Sequence, residues 1–485
     1  MQRSIYVHIM YVYNMTDYPD WVMKYKKKGT LVQRKRDDLY YMYRVHSVWN
    51  KEKKRAQLIT DEFLGKITPD GFTESRAKRI MRRLDQVAVK EYGASFFLHH
   101  LSPDLIEALK NNFPEWREIF VFACMRLLHN SPLKNVEFLY ATSYLSEMVK
   151  DAHVSPDSLG DMIRRIGMDR NAMLSFMKSM MKDDRYLAVD LTHVLSMSEG
   201  IISETPGHNS MDQYLPQVQV LFLYSLDHER PSYFRMLPGS VNSVASLKMT
   251  MQEAKISNIV IVADSCFYSA GNMKDPDDLG ISYIMPLKRN SRIIRYDHGR
   301  ERHFMFQDHP IFYWKYSSGK HSIITFRNDF LKAEEEKDFL RRNSNVKESA
   351  FAKARERMGT ISVITSLRVS GEIVYDMLKS RTEIEQSFYT FKNTIHADLS
   401  YMRDDHQLQG WMFINFIALM MHYLIYAMLK SKDMQRKYSP GDVLVHLERV
   451  NRLRIGDEWK TSEIPRKSRI IIDGLGIPIM EIGGS

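Results

Sequence analysis

The sequence predicts an α/β fold: a buried sheet with helices on its faces, split by a β-rich insertion. A basic strand-rich region and a helical domain precede it. Three observations carry this reading. Between residues 186 and 263 the segments run strand, strand, strand, helix, strand, an order that builds an α/β layer. The last of them, Ile259-Val260-Ile261-Val262-Ala263, is apolar on both faces, as a central strand must be. A stretch of different character, residues 289–359, then interrupts the pattern before strand and helix resume.

Residues 1–72 form a basic, strand-like region. The terminal MQRSIYVHIMYVYNM is interrupted by His8 and several tyrosines and lacks a small-residue cleavage site, so it reads as a strand rather than a signal peptide. Lys26, Lys27 and Lys28, then Arg34, Lys35 and Arg36, precede the aromatic run Tyr40-Tyr41-Met42-Tyr43. Lysines protect exposed sheet edges, and the same residues would serve as contacts to a DNA backbone. Both readings stand at this stage.

Residues 73–182 are helical, with apolar positions three and four apart, as in Leu105-Leu109 and Ile119-Phe122-Met125. Ser102-Pro103-Asp104 and Ser155-Pro156-Asp157 read as helix starts, each with an N-cap serine and an N1 proline. A separate small core is expected here. Residues 183–288 are the first part of the α/β layer. In Tyr186 to Thr192, side chains alternate faces: Leu187, Val189 and Leu191 on one, Ala188, Asp190 and Thr192 on the other. Further strands are expected over 218–224, 232–237 and 283–287, with a helix over 243–255.

The insertion, residues 289–359, holds aromatic-rich strands and a highly charged helical segment from Asp329 to Arg357. Residues 360–432 complete the layer with a strand, a helix beginning near Tyr375, and the apolar segment Trp411 to Leu429. That segment barely reaches membrane-spanning length and contains Asn415 and His422, so a buried helix is the expectation. His396, Asp398, Asp404 and Asp405 read as a solvated turn before it. Residues 433–485 are a tail with a strand expected at Ile470 to Ile472.

The composition narrows the function classes. A net charge of +10 favours a polyanionic partner, nucleic acid before membrane, because each neutralised phosphate releases counterions. Cys124 and Cys266 lie far apart, which argues against a disulfide scaffold or a thiolate zinc site and fits a cytoplasmic setting.

Three acids then stand out. Asp190 lies on the first strand, Asp264 ends the central one, and Glu385 sits on the late helix. At 3.6 residues per turn, Arg381, Glu385 and Lys392 fall within about 40° of one another, with Phe388 beside them and Glu383 turned away. Taken alone, this is an i,i+4 ion pair plus a solvated lysine. Taken with the two aspartates, and if their strands are neighbours, it offers the oxygen ligands that metal-assisted phosphodiester chemistry needs. Arg381 and Lys392 would then hold phosphates.

On these residues the chain resembles the insertion-sequence transposases of the Asp-Asp-Glu type, prokaryotic enzymes with a ribonuclease-H-like catalytic core. Their signature reads Tyr, two residues, Arg, three residues, Glu, six residues, Lys, and Arg381, Glu385 and Lys392 match its spacings. The resemblance runs over most of 185–430 and includes Val189-Asp190, Val262-Ala263-Asp264 and Phe267-Tyr268. The signature tyrosine falls at Leu378, with Tyr375 one turn earlier, and the second acid is followed by Ser265-Cys266 instead of Arg-Gly.

The resemblance implies a Mg²⁺-dependent enzyme, with Mn²⁺ substituting, that cuts transposon ends and joins them to target DNA. Asp190, Asp264 and Glu385 would be catalytic metal ligands. It also implies a homodimer at paired ends and a nucleoid-associated, cytoplasmic setting. An aromatic of the insertion could hold an unstacked base, with Trp314 the candidate, and a core tryptophan of the β-rich insertion is the other reading. A DNA-binding protein of the same fold without catalysis, and a general nuclease, are the alternatives.

Overall fold

The computed structural model describes residues 18–50, 54–75, 87–181, 183–196, 201, 205–208, 214–238, 243–254, 259–264, 267, 281–296, 300–343, 347–396, 399–400 and 402–479. The terminal strand expected over MQRSIYVHIMYVYNM, Ser265-Cys266, Tyr268 and Asp398 lie outside them, as do the side chains of Glu383 and Phe388. The chain divides into two compact units: Met1–Val89 with Arg452–Thr461, and Lys90–Asn451 with Ser462–Ser485.

The smaller unit is built on an antiparallel sheet in chain order: β1 (Thr30–Arg36), β2 (Leu39–Asn50), β3 (Arg55–Thr68) and β4 (Gly71–Glu74). Val22, Val32, Tyr40, Met42, Leu64 and Ile67 form its small core. Where β3 meets β4 a Cβ on Gly65 would come within 2.3 Å of the Thr73 carbonyl oxygen, so only glycine fits. A second sheet joins β5 (Ala88–Glu91) to a late hairpin, Asn451–Ile455 with Glu458–Thr461.

The larger unit begins with helices from Gly93–Leu101 to Arg170–Met180. Ser155 caps its helix as expected, its side chain accepting from the Ser158 N–H, whereas Ser102 makes no such bond although Pro103 opens the helix. Among the described residues these helices have no separate core. Ile119 to Leu127 are all buried in one continuous cluster with the sheet and the late helices. A helix buried all round has no solvent face to separate it from a neighbouring layer.

The main sheet contains β6 (Tyr186–Ser196), β7 (Thr205–His208), β8 (Tyr214–Ser225), β9 (Arg230–Pro238), β10 (Val260–Val262), β11 (Ser282–Leu287), β12 (Arg302–Phe306), β13 (His309–Ser318), β14 (His321–Asn328), β15 (Thr360–Thr365) and β16 (Leu399–Ser400). Its path runs β12-β13-β14-β15-β11-β10-β6-β8-β7, with β9 on β8 and β16 on β6. β10 pairs in parallel with both β6 and β11, while β6, β8 and β9 pair antiparallel. The strands of the insertion are therefore not a separate body. They extend this same sheet through the β14–β15 pairing, and the charged helices Asp329–Arg342 and Glu348–Arg355 have no buried residues.

The long helix Asp405–Ser431 is the hub of the main core, with buried residues on every side. Its backbone runs against that of helix Pro156–Met168: a Cβ on Gly410 would lie 2.0 Å from the Ile163 carbonyl oxygen, and one on Gly167 would lie 1.8 Å from that of His406. Only paired glycines permit this approach. The expected strand at Ile470 to Ile472 is instead part of helix Arg466–Leu475. Pro465 and a left-handed Gly476 bracket it, and Ser468, Ile471, Ile472 and Leu475 turn inward at helical spacing.

Candidate active site

The β6–β10 register pairs Val262 with Ala188. Two residues further along each chain come Asp264, just past the end of β10, and Asp190, midway along β6, so the parallel register brings the two aspartates to the same level where β10 stops. Phe222, opposite Asp190 on β8, meets the Phe391 ring at a centroid distance of 5.3 Å. Residues opposite each other share a face, so the helix leading to Phe391 lies over the face that carries Asp190. That helix, Thr382–Tyr389, presents Glu385.

What lies among the three acids is a guanidinium. Arg381 Nη2 is 2.7 Å from Glu385 Oε1 and 3.9 Å from Asp264 Oδ1, and its Nη1 is 3.9 Å from Asp190 Oδ2. The Arg381 side chain is 14% exposed, whereas Glu385 is 55% exposed, so the buried cation faces an open acidic rim. Burial raises the Asp190 carboxyl to about 6; the Leu191 N–H and Arg381 oppose the rise, and Asp264 and Glu385 add to it. Its Oδ1 accepts from the Leu191 N–H at 2.8 Å.

This arrangement fits a divalent cation by its donor chemistry. Three carboxylates from separate chain segments, with no nitrogen or sulfur donor among them, suit a hard cation, and a positive group already stands between them. As placed, no three His, Cys, Asp or Glu side chains among the described residues come close enough to hold one ion.

After Tyr389 the backbone passes into a π turn, Thr390–Thr394, whose i→i+5 bonding changes the angular step. The Lys392 charge acts on His193, whose pKa is lowered first by burial and then by Lys392. Trp314 takes the core position rather than the base-stacking one. It is 2% exposed, and its indole N–H donates to the Arg295 carbonyl oxygen at 2.9 Å, so its ring is not offered to a base. Leu378 and Tyr375 are also buried, Tyr375 among Phe304, Phe306 and Phe326.

In the smaller unit Lys26, Lys27, Lys28, Arg34, Lys35 and Arg36 are all exposed. Lys26 lies over the Tyr18 ring, Lys35 over that of Tyr41, and Arg34 pairs with Asp37. Sequence reasoning missed a cleft of about 700 Å³ on the flank of the Glu385 helix, lined among others by Gln386, Tyr389, Tyr426, Arg436, Lys437 and Tyr438. Tyr389, one turn beyond Glu385, is 60% exposed. Its i,i+4 spacing from Glu385 was the available signal.

Residues 182–421 match the family model described as a transposase DDE domain. Among solved structures, the chain is similar to a piggyBac transposase synaptic complex with hairpin DNA. Identity there is 11%, covering 73% of this chain and 79% of that one, with a TM-score of 0.41. It is similar over less of its length to a pre-cleavage Mos1 transpososome, at 10% identity, 32% and 58% coverage and a TM-score of 0.14. A Mos1 paired-end complex with the left transposon end gives 11%, 32%, 58% and 0.14. No curated protein matches.

Proposed function

Taking residues 182–421 as a transposase DDE domain, we propose that the protein cleaves DNA at the ends of a mobile element and joins them to a target. The observation that supports this is the convergence of Asp190, Asp264 and Glu385 around a single cationic group. These three carboxylates would hold Mg²⁺, or Mn²⁺ in its place. When bound, the metal activates the attacking water or 3′-hydroxyl and stabilises charge on the phosphate. The chain's own part is to fix the acids on rigid elements: Asp190 and Asp264 by one parallel register, Glu385 by a helix laid over the same face. Arg381 and Lys392 would bind phosphate oxygens, Arg381 through its planar fork.

Lys26, Lys27, Lys28, Arg34, Lys35 and Arg36 would add contacts to the DNA backbone. The finer reading is an insertion-sequence enzyme of prokaryotic type, acting as a homodimer on paired ends. The test uses DNA flanking the gene as substrate. Glu385→Gln, Asp190→Asn and Asp264→Asn should each abolish cleavage in Mg²⁺ while leaving end binding in Ca²⁺ intact. Nicking at the wild-type rate by any one of them overturns the assignment. Cleavage that ignores end sequence identifies a general nuclease, and binding without any metal-dependent product identifies a protein that has kept the fold alone.

A further inference from the structure

We propose that Arg381 is the resident counter-ion of the three acids and that a divalent cation enters only when this guanidinium leaves. The inference rests on the reading of Asp190, Asp264 and Glu385 as metal ligands.

Three features carry it. First, Arg381 reaches carboxylates from three separate elements, at 2.7, 3.9 and 3.9 Å; an ordinary helical i,i+4 pair would satisfy Glu385 alone. Second, the guanidinium stands in the space between the three carboxylates. A dication placed among them would sit beside the guanidinium, and like charges at such separations repel strongly where burial lowers the dielectric. The two cations therefore exclude each other. Third, Arg381 is not locked. Its Nη1 is buried and makes no hydrogen bond among the described residues, and a buried donor left unpaired favours any state that gives it an acceptor.

A DNA phosphate supplies that acceptor. Arginine binds phosphate through two parallel N–H bonds, and Arg381 lies at the junction of helices Gly371–Ser380 and Thr382–Tyr389, from which its long side chain can swing. DNA would draw the guanidinium off the acids, and the vacated negative site would then take metal. The order is DNA first and metal second, which keeps the free protein from cutting at random.

The test measures Mn²⁺ binding to the full-length chain without DNA, from loss of the free-ion EPR signal. The proteins are wild type, Arg381→Ala, the pair Asp190→Asn/Glu385→Gln, and that pair combined with Arg381→Ala. Arg381→Ala should bind Mn²⁺ at least ~10-fold more tightly than wild type, and the gain should vanish when the acids are also neutralised. If Arg381→Ala binds no more tightly, while the acid pair abolishes wild-type binding, the counter-ion role is wrong and the metal site stands. Equal binding by all four proteins removes the metal reading, and this inference with it.

Arg381→Gln keeps most of the side-chain stem and carries the same comparison should the alanine variant fail to fold. A short blunt duplex, corrected for the Mn²⁺ it binds alone, should raise the affinity of wild type but not of Arg381→Ala. An equal rise in both overturns the displacement by phosphate.

Discussion

Arg126 offers the sharpest test of how the larger unit holds the Glu385 helix in place. Its guanidinium is 4% exposed. Nε donates to Asn415 Oδ1 at 3.0 Å, Nη1 to the Ser131 carbonyl oxygen at 3.2 Å, and Nη2 to that of Ile395, the residue that closes the π turn after Glu385. The group also lies 4.5 Å from the Trp411 ring centroid. It is a buried charge held by carbonyl oxygens at the negative end of a helical segment.

Arg126→Met keeps the bulk and removes every donor. Three acceptors are then left without partners, at ~1–3 kcal/mol each, and the ring contact contributes about another 1 kcal/mol. Burial lowers the Arg126 pKa to about 10 from 12.5, so relief of that desolvation returns roughly 3 kcal/mol. The net loss is about 4 kcal/mol, a fall in Tm on the order of 5 °C or more. Thermal and urea unfolding measure it, and single-turnover cleavage should fall further than stability alone explains, because Ile395 anchors the end of the helix that positions Glu385. A variant within ~0.5 kcal/mol of wild type and of full activity refutes the reasoning.

The remaining expectations concern separate parts of the chain. Burial raises Glu91 to about 7 from 4.5. The folded state thus keeps a proton the unfolded chain releases, and this stability, full below pH 4.5, is lost as pH rises through 7. Glu91→Gln should remove up to roughly 3 kcal/mol of that pH dependence in unfolding titrations; an unchanged slope refutes the burial argument. Trp314→Phe should cost ~1–2 kcal/mol in urea melts, through removal of the indole bond and of volume, and leave DNA binding unaltered; weakened binding would restore the stacking role. Gly410→Ala drives a methyl into the Ile163 carbonyl and should yield little soluble protein, so a normal melt contradicts the helix packing. Alanines at Lys26, Lys27 and Lys28 should flatten the salt dependence of DNA binding, the slope falling by about 0.9 for each phosphate the lysines neutralise. An unchanged slope places those lysines away from DNA.

Much of the fold was legible where a local pattern fixed it. Alternation marked β6, and two-sided apolarity marked β10. Proline and serine signals opened helices, and the apolar run near Trp411 declared a buried helix. What escaped depended on pairing between distant segments. Nothing local tells β12–β14 to continue the main sheet, because that follows from β14 meeting β15 across the charged helices. The helical region shares its core for the same reason, since its buried residues join one cluster with the sheet and with Asp405–Ser431. Ile470 to Ile472 misled because a short β-branched run has no period of its own, and the flanking Pro465 and Gly476 carried the deciding signal.

The candidate site shows the same division within a single side chain. Sequence spacing placed Arg381 and Glu385 on one helical face, and the 2.7 Å ion pair follows from that spacing. The uniform step on which that spacing rests stops at Tyr389, where the π turn begins before Lys392. Nor could it bring in the aspartates, whose positions depend on a parallel register between strands some seventy residues apart. An exposed i,i+4 pair contributes only tenths of a kcal/mol and would tolerate loss of either partner. A guanidinium between three carboxylates is different, because removing it leaves two or three negative charges facing one another where β10 stops beside β6. The long-range register thus turns an ordinary ion pair into a centre that must contain a cation, whether the arginine or a metal.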